Sequence, residues 1–401
     1  MIWGLTHHQE CRYSESPEGK IDEVLHALAG STHGHLTSGN AVRLIQNEAF
    51  FHEVTAEMDR AKSSLHFETF LWICGEASEI ILTALENAAR RGVKVRVLVD
   101  ARGSGSMTQQ TRERLKDSGC IVAWYHRWTP NNLGRFNLRD HRKIIVLDGQ
   151  IAFVGGHCIA DEWFKDTDKS PRYRDITARL TGPVVASIQT TFSENWNEVT
   201  DELFVDDTTF PELTQQGEVL AHVASIRPDG CPSSVQVLHY LVIALAKERI
   251  RIQNPYFLPD PVGSKALVAA ARRGVDVRIM APSPHATDSP YVSYAGHFLY
   301  QRMLEGGVRI YEYEATLLHQ KIITIDGKWC GIGSSNFDDR SFEINDEITV
   351  GIADPAIVSE LDETFENDLE KCSEKSLEEW KKRPVWKRCV DGIYYLFNEQ
   401  F

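Results

Sequence analysis

The sequence predicts an α/β fold of two pseudo-symmetric halves, each a mixed β-sheet flanked by helices, sharing one active site. Three observations carry this. The string His141, Lys143, Asp148 and Gly155-Gly156-His157-Cys158 recurs with the same spacing as His319, Lys321, Asp326 and Gly333-Ser334-Ser335-Asn336. Ala88-Ala89-Arg90-Arg91-Gly92-Val93 recurs as Ala270-Ala271-Arg272-Arg273-Gly274-Val275. The first pair is offset by 178 residues and the second by 182, so the duplication runs nearly in register. Around both, β-rich runs alternate with helical stretches, the pattern of an α/β sheet.

Residues 1–38 carry little pattern beyond two possible helical turns over Ile21–Leu28, and read as an N-terminal arm. The first half, 39–200, opens with a strand at Val42–Ile45 and a helix over Phe50–Ala61. Ser64–Trp72 is dense in β-formers and reads as a buried strand. A helix over Ile80–Arg91 stops at Gly92, a residue that accepts the left-handed cap, and Val93–Val99 alternates as a strand does. Residues 201–217 are acidic, lack apolar periodicity and read as a linker.

The second half, 218–372, repeats the order. A helix over Val235–Lys247 leads to a strand at Arg249–Tyr256, a helix over Lys265–Arg273 closed by Gly274, and a strand at Val275–Ala281. A helix around Glu360–Lys371 precedes the tail, 373–401, where Lys381, Lys382, Arg383, Lys387 and Arg388 crowd together and Pro384 breaks the chain. Beyond it Trp386, Cys389, Val390, Ile393, Tyr394 and Phe397 fall on one helical face. Such a helix either docks on the domain or lies on an anionic membrane, basic groups at the headgroups and aromatics at the boundary.

Composition bounds the chemistry. A formal charge of −14 argues against coating nucleic acid, and no nucleic-acid partner is expected. Arg127, Trp128, Arg135, Phe136 and Arg139 make a basic-aromatic loop that suits a nucleic-acid strand, a lipid headgroup or only a surface. The eight cysteines, 11, 74, 120, 158, 231, 330, 372 and 389, show no pairing pattern and read as reduced thiols of a cytoplasmic protein. Met1–Gln9 lacks the make-up of a secretory signal, and no stretch reaches the roughly 18 apolar residues of a membrane span. The expected location is therefore cytoplasmic, with peripheral contact on the inner face of the membrane.

In a strand, residues separated by one share a face, so each histidine sits beside its lysine. Two imidazoles and two ammonium groups around one anion suit displacement at a phosphodiester. One imidazole attacks phosphorus while the other protonates the leaving alkoxide, then deprotonates the incoming alcohol or water. The lysines, with Ser335 and Asn336 of the second glycine turn, stabilise charge on the non-bridging oxygens. No other His, Asp and Glu set stands at metal-ligand spacing, and neither metal nor cofactor is expected. A histidine in this role needs a carboxylate on its far nitrogen. Asp175 and Glu347, 34 and 28 residues after their histidines, open similar strands and are the candidates. Asp148 and Asp326 belong to the repeated string, but Gly149 and Gly327 beside them point to a structural task in a hairpin.

The duplicated string, His-x-Lys-x4-Asp-x6-Gly-Ser-x-Asn, resembles the signature of the phospholipase D superfamily, over residues 40–370. Within it the chain is most similar to bacterial cardiolipin synthases, through Asp140-His141-Arg142-Lys143-Ile144-Ile145-Val146, Leu180-Thr181-Gly182-Pro183-Val184-Val185 and the run Gly333–Ser341. The resemblance implies two phospholipase D-like halves packed side by side. It further implies transfer of a phosphatidyl group between two phosphatidylglycerol molecules through a phosphatidyl-histidine, without metal, with His141 as nucleophile and His319 as acid. A hydrolytic phospholipase D, a nuclease and a silent lipid-binding scaffold are the competing readings. One departure stands out: Cys158 replaces the family's asparagine in the first glycine turn, so that either His157 substitutes or the first half contributes less to phosphate binding.

Overall fold

The computed structural model describes residues 19–127, 137–168, 170–226 and 233–397. The first half contributes β1 (Thr37–Gln46), β2 (Ser64–Thr69), β3 (Lys94–Asp100), β4 (Ile121–Tyr125), β5 (Ile144–Leu147), β6 (Ile151–Gly155) and β7 (Ile176–Thr181). The second contributes β8 (Val219–Ile226), β9 (Arg249–Gln253), β10 (Phe257–Leu258), β11 (Asp276–Pro282), β12 (Arg309–Tyr313), β13 (Ile322–Ile325), β14 (Trp329–Gly333), β15 (Phe337–Asp338), β16 (Glu347–Ala353) and β17 (Cys372–Glu374). Strand order in the first half is 4-3-2-5-6-7-1 and in the second 12-11-9-13-14-16-8, with β17 added at the outer edge. In each, the outer three strands are parallel and the remainder antiparallel. The duplication seen in the sequence is therefore one of topology. β1 pairs with β8 through a bulge, so both halves join in one continuous sheet.

The helices are α1 (Leu25–Ser31), α2 (Ala49–Arg60), α3 (Glu76–Arg90), α4 (Gln109–Asp117), α5 (Asp161–Phe164), α6 (Val184–Thr200), α7 (Ser234–Leu245), α8 (Pro261–Arg272), α9 (Pro290–Glu305), α10 (Asp339–Glu343), α11 (Pro355–Leu369), α12 (Leu377–Lys381) and α13 (Val385–Tyr395). Alternation along β2 explains its burial: Leu65 and Phe67 enter a core beneath α2 and α3, while His66 and Glu68 point to the other face. A matching core lies beneath α7, α8 and α9. Between the halves runs a third core, where Ile144, Val146, Val154 and Ala178 meet Ile322, Ile332, Ile348 and Val350 beside Ile188, Phe192 and Trp196 of α6. Each fully buried aliphatic side chain there contributes about 1.5–3 kcal/mol, so the seam is a hydrophobic core in its own right.

Three stretches are more firmly attached than their composition suggests. Residues 201–217 form no helix or strand but line the first half: Glu202 pairs with Arg96, Asp206 with Lys94, and the Thr208 carbonyl accepts from Ser64. The described end of the arm crosses to the other half, where Ile21, Leu25 and Leu28 enter the core of the second. The tail helix α13 docks on α9, Tyr394 stacking on Tyr294 and Tyr395 on Phe298. Buried Asp391 bonds Arg383 and lies 4.0 Å from His297. The opposite face, with Trp386, Cys389, Ile393 and Phe397, stays exposed, so α13 is both docked and open.

Candidate active site

Each histidine is held by the other half. The His141 backbone N–H bonds the Asp346 carbonyl at 3.0 Å, and its Nδ1 lies 2.8 Å from Oε1 of the next residue, Glu347. The His319 N–H bonds the Arg174 carbonyl at 2.7 Å, and its Nδ1 lies 2.8 Å from Oδ2 of the next residue, Asp175. The two orienting acids named from the sequence thus serve the opposite histidines, not those that precede them in their own repeats. All four side chains are buried. Because both Nδ1 atoms face carboxylates, Nδ1 carries the proton and Nε2 is left for chemistry.

The lysines bracket this pair. Nζ of Lys143 and of Lys321 donates to the carbonyl of its own histidine, each at 2.6 Å, and Lys321 Nζ lies 3.0 Å from His319 Nε2. Each ring is fixed by an aromatic edge: His141 against Phe70 with centroids 5.0 Å apart, His319 against Trp163 at 4.9 Å. Trp163 also donates to Asp175 Oδ2 at 2.9 Å, which rigidifies the acid. Neither aromatic is marked by the motif, and only a contact in space exposes its part.

The two sites differ in one compensated detail. A Cβ on Gly156 would come within 2.5 Å of the Asp175 carboxylate, so glycine is required there. At the equivalent position Ser334 stands against the longer Glu347 and donates its hydroxyl to Oε2. Ser334 therefore touches the machinery, while Ser335 lies 3.4 Å from the Thr349 hydroxyl. Asn336 is buried at the turn, and its Oδ1 finds no protein partner among the described residues. His157 does not replace the missing asparagine. Its Nε2 donates to the Asn47 carbonyl at 2.9 Å, its Nδ1 accepts from Thr177 at 2.8 Å, and its ring stacks on Phe50. Cys158 turns its thiol to the Gly156 carbonyl.

Asp148 and Asp326 lie at the far ends of β5 and β13 from the histidines. Each opens a turn with two left-handed residues, at φ 51° and 62° for Asp148-Gly149 and 54° and 68° for Asp326-Gly327. The Asp148 carboxylate accepts from the N–H groups of Lys62, Ser63 and Ser64, and Asp326 from those of Lys247, Glu248 and Arg249. These aspartates tie each hairpin to the strand beside it. Of the basic-aromatic loop, Trp128, Arg135 and Phe136 lie outside the described residues. Arg127 lies over Trp124, and buried Arg139 stands 3.6 Å from Asp100.

Burial dominates the electrostatics. It holds His141 well below its usual pKa, helped by Lys143 and Lys321, and lowers His319 to about 3, where Lys321 adds to it and Asp175 opposes. Burial also brings Lys321 down to about 7 against the pull of Asp175. The acids diverge. Burial lifts Glu347 to about 7 despite Lys143 and Ser334, whereas at Asp175 the neighbouring His157 and His319 overcome burial and keep the carboxyl below its usual range. An anion between the lysines offsets the charge that depresses both imidazoles. Among the described residues no three His, Cys, Asp or Glu side chains are grouped to hold a metal ion.

The sequence and the fold have known counterparts. The family model described as "Cardiolipin synthase, PLD-like domain" matches residues 54–168 and 241–369. A cardiolipin synthase of Staphylococcus aureus (strain Mu50) is 31% identical over 383 residues, covering 94% of this chain and 77% of the relative. The major cardiolipin synthase ClsA of Bacillus subtilis (strain 168) is 30% identical over 381 residues, covering 94% and 78%. The crystal structure of phosphatidylserine synthase from Haemophilus influenzae superposes with a TM-score of 0.69 at 14% identity, over 90% of this chain and 93% of that one. The polyphosphate kinase of Porphyromonas gingivalis gives 0.56 at 15%, over 97% and 57%.

Proposed function

Since the chain belongs to the family of PLD-like cardiolipin synthases, we propose that it moves the phosphatidyl group of one phosphatidylglycerol onto the terminal glycerol hydroxyl of another, releasing glycerol. It is a phospholipase D-type phosphatidyltransferase. The observation that carries the mechanism is the crossed pairing of each imidazole with the acid of the other half. His141 Nε2 attacks the donor phosphorus, and the bond from phosphorus to the glycerol oxygen breaks. His319, protonated on both nitrogens once the phosphodiester anion lies between the lysines, gives that oxygen its Nε2 proton. The acceptor hydroxyl then returns a proton to His319, its oxygen bonds phosphorus, and the bond to His141 Nε2 breaks. The ionised Asp175 favours His319 as the acid, because a full negative charge stabilises the imidazolium it must become. Lys143 and Lys321 take the non-bridging oxygens.

Incubation with phosphatidylglycerol vesicles in excess chelator, read by mass spectrometry, tests this. Cardiolipin and glycerol are the expected products, at a rate the chelator leaves unchanged because two ammonium groups supply the positive charge. Phosphatidic acid alone makes the protein a hydrolase, and a rate restored only by a divalent ion overturns the metal-free route.

A pH dependence follows from Lys321. Its charged form binds the anion and prevails below about pH 7, so affinity for tungstate is highest there and falls as pH rises through that value. A charge-assisted contact contributes roughly 1.5–3 kcal/mol, so titration calorimetry should register about a tenfold weakening by pH 8.5. Affinity independent of pH over that range removes Lys321 from the anion site.

The substrate is a bilayer lipid, and we assign peripheral contact with the anionic inner face of the membrane to the open side of α13. Trp386, Ile393 and Phe397 are 63%, 57% and 55% exposed there, and Lys382, Lys387 and Arg388 are exposed beside them. No helix among the described residues is long and apolar enough to cross a membrane. Because α13 covers α9, point variants test the contact better than truncation. Trp386→Ala with Ile393→Ala should lower binding to phosphatidylglycerol vesicles about tenfold, since either side chain contributes over 1 kcal/mol on burial. Turnover of dispersed short-chain lipid should hold. Equal loss on both substrates makes α13 a structural helix only.

A further inference from the structure

The mechanism uses two lysines but leaves three arginines beside them without a task. Arg139, two residues before His141, is buried with its guanidinium 3.6 Å from the Asp100 carboxylate. Arg102 bonds the same carboxylate through its backbone N–H at 2.9 Å and carries an exposed side chain. Arg340 arrives from the other half, on α10 just past the second glycine turn. It donates to the carbonyl and side-chain oxygens of Asn137 at 3.1 and 3.2 Å, two residues from Arg139. The three converge from both halves on one rim of the site, grading from solvent at Arg102 to the interior at Arg139.

Three guanidinium groups and the carboxyls of Asp100 and Asp338 share this rim. Burial lowers the basicity of Arg340, and Arg102 and Arg139 add to that against the pull of Asp338 and Asp100. Arg340 in turn helps depress His141, so it stands within electrostatic reach of the nucleophile. Burial raises both facing acids, Asp338 to about 7, and the Asp338 carboxylate is engaged by the Ser341 N–H. Bringing like charges together at a partly buried edge is unfavourable in the empty protein, and such a cost is characteristic of a place built for an anion.

The donor phosphate already has Lys143 and Lys321. The acceptor carries a second phosphodiester, set apart from its attacking hydroxyl by a three-carbon bridge. We propose that Arg340, with Arg102 and Arg139, forms an anion subsite for the phosphodiester of the acceptor phosphatidylglycerol, bringing its terminal hydroxyl to the phosphorus on His141. This rests on the phosphatidyltransferase reading and adds what selects the acceptor. A guanidinium fork matches phosphate oxygens bidentately, which a point charge does not. Water and simple alcohols carry no anion, so the subsite favours transfer to lipid over hydrolysis.

Phosphatidylglycerol vesicles containing ethanol as a competing acceptor test this, with cardiolipin and phosphatidylethanol measured together. Arg340→Gln should shift the product ratio at least tenfold toward phosphatidylethanol, Arg340→Lys less. Arg102→Gln, a change at an exposed side chain, should shift it in the same direction and keeps the test open should Arg340→Gln misfold. Inorganic phosphate should suppress cardiolipin more than phosphatidylethanol in the wild type and lose that selectivity in Arg340→Gln, which separates a free phosphate from the lipid headgroup as occupant. A ratio insensitive to both arginines, or equal loss of both products, overturns the subsite alone. A wild-type protein that makes phosphatidylethanol but never cardiolipin overturns the transferase reading, and the subsite with it.

Discussion

Alanine at either His141 or His319 lowers cardiolipin formation by roughly four orders of magnitude or more, with the far-ultraviolet circular dichroism spectrum unchanged. Each ring is buried but held by few contacts, one Nδ1 bond and one aromatic edge, with Lys321 Nζ added at His319, so its loss removes chemistry before it removes the fold. Nucleophile and acid act as a unit, and the double variant should be little worse than either single one. Acid quench during turnover should trap the lipid label on His141. A label on His319 reverses the assignment, and near wild-type turnover in either variant sinks the two-histidine mechanism.

The second large effect falls on the acids, and there the crossing becomes measurable. Asp175 Oδ1 accepts the Ile176 N–H, while Oδ2 faces both Trp163 and His319. An asparagine cannot accept from all three donors, so Asp175→Asn turns an N–H toward the imidazole and imposes the wrong tautomer, a loss of about 10⁴ in kcat where such an acid is replaced. Glu347→Gln is milder, because Glu347, pushed up to about 7, is only partly ionised at pH 7 and shares its second oxygen with Ser334. The two variants fail at different steps. With a nitrophenyl phosphodiester, whose leaving group needs no proton, Asp175→Asn should regain a burst of nitrophenol while Glu347→Gln stays slowed. The opposite pattern assigns Asp175 to the nucleophile.

How far the sequence reached depends on where information sits along the chain. The duplication was legible because its residues lie in short contiguous strings, and one strand order repeats from β4–β1 to β12–β8. The crossing of the acids was not, since spacing is one-dimensional and says nothing about which half closes over which. Ser334 and Ser335 illustrate a finer limit: at a strand end one position decides whether a hydroxyl meets Glu347 or Thr349. Phe70 and Trp163 read as ordinary core aromatics until a ring edge is found beside an imidazole. Ile21, Leu25 and Leu28 announce an apolar face without saying that the core of the second half receives it.

Because each imidazole borrows its carboxylate across the seam, catalytic competence gauges how the halves sit, not whether each is folded. A displacement of about 1 Å is enough to lose a 2.8 Å hydrogen bond while leaving the strands and helices of each half intact. Turnover should therefore vanish at lower denaturant than helical structure does. The duplicated chain behaves as a tethered dimer whose quaternary contact is its active site, and whatever presses on one half acts as a rheostat on the chemistry of both.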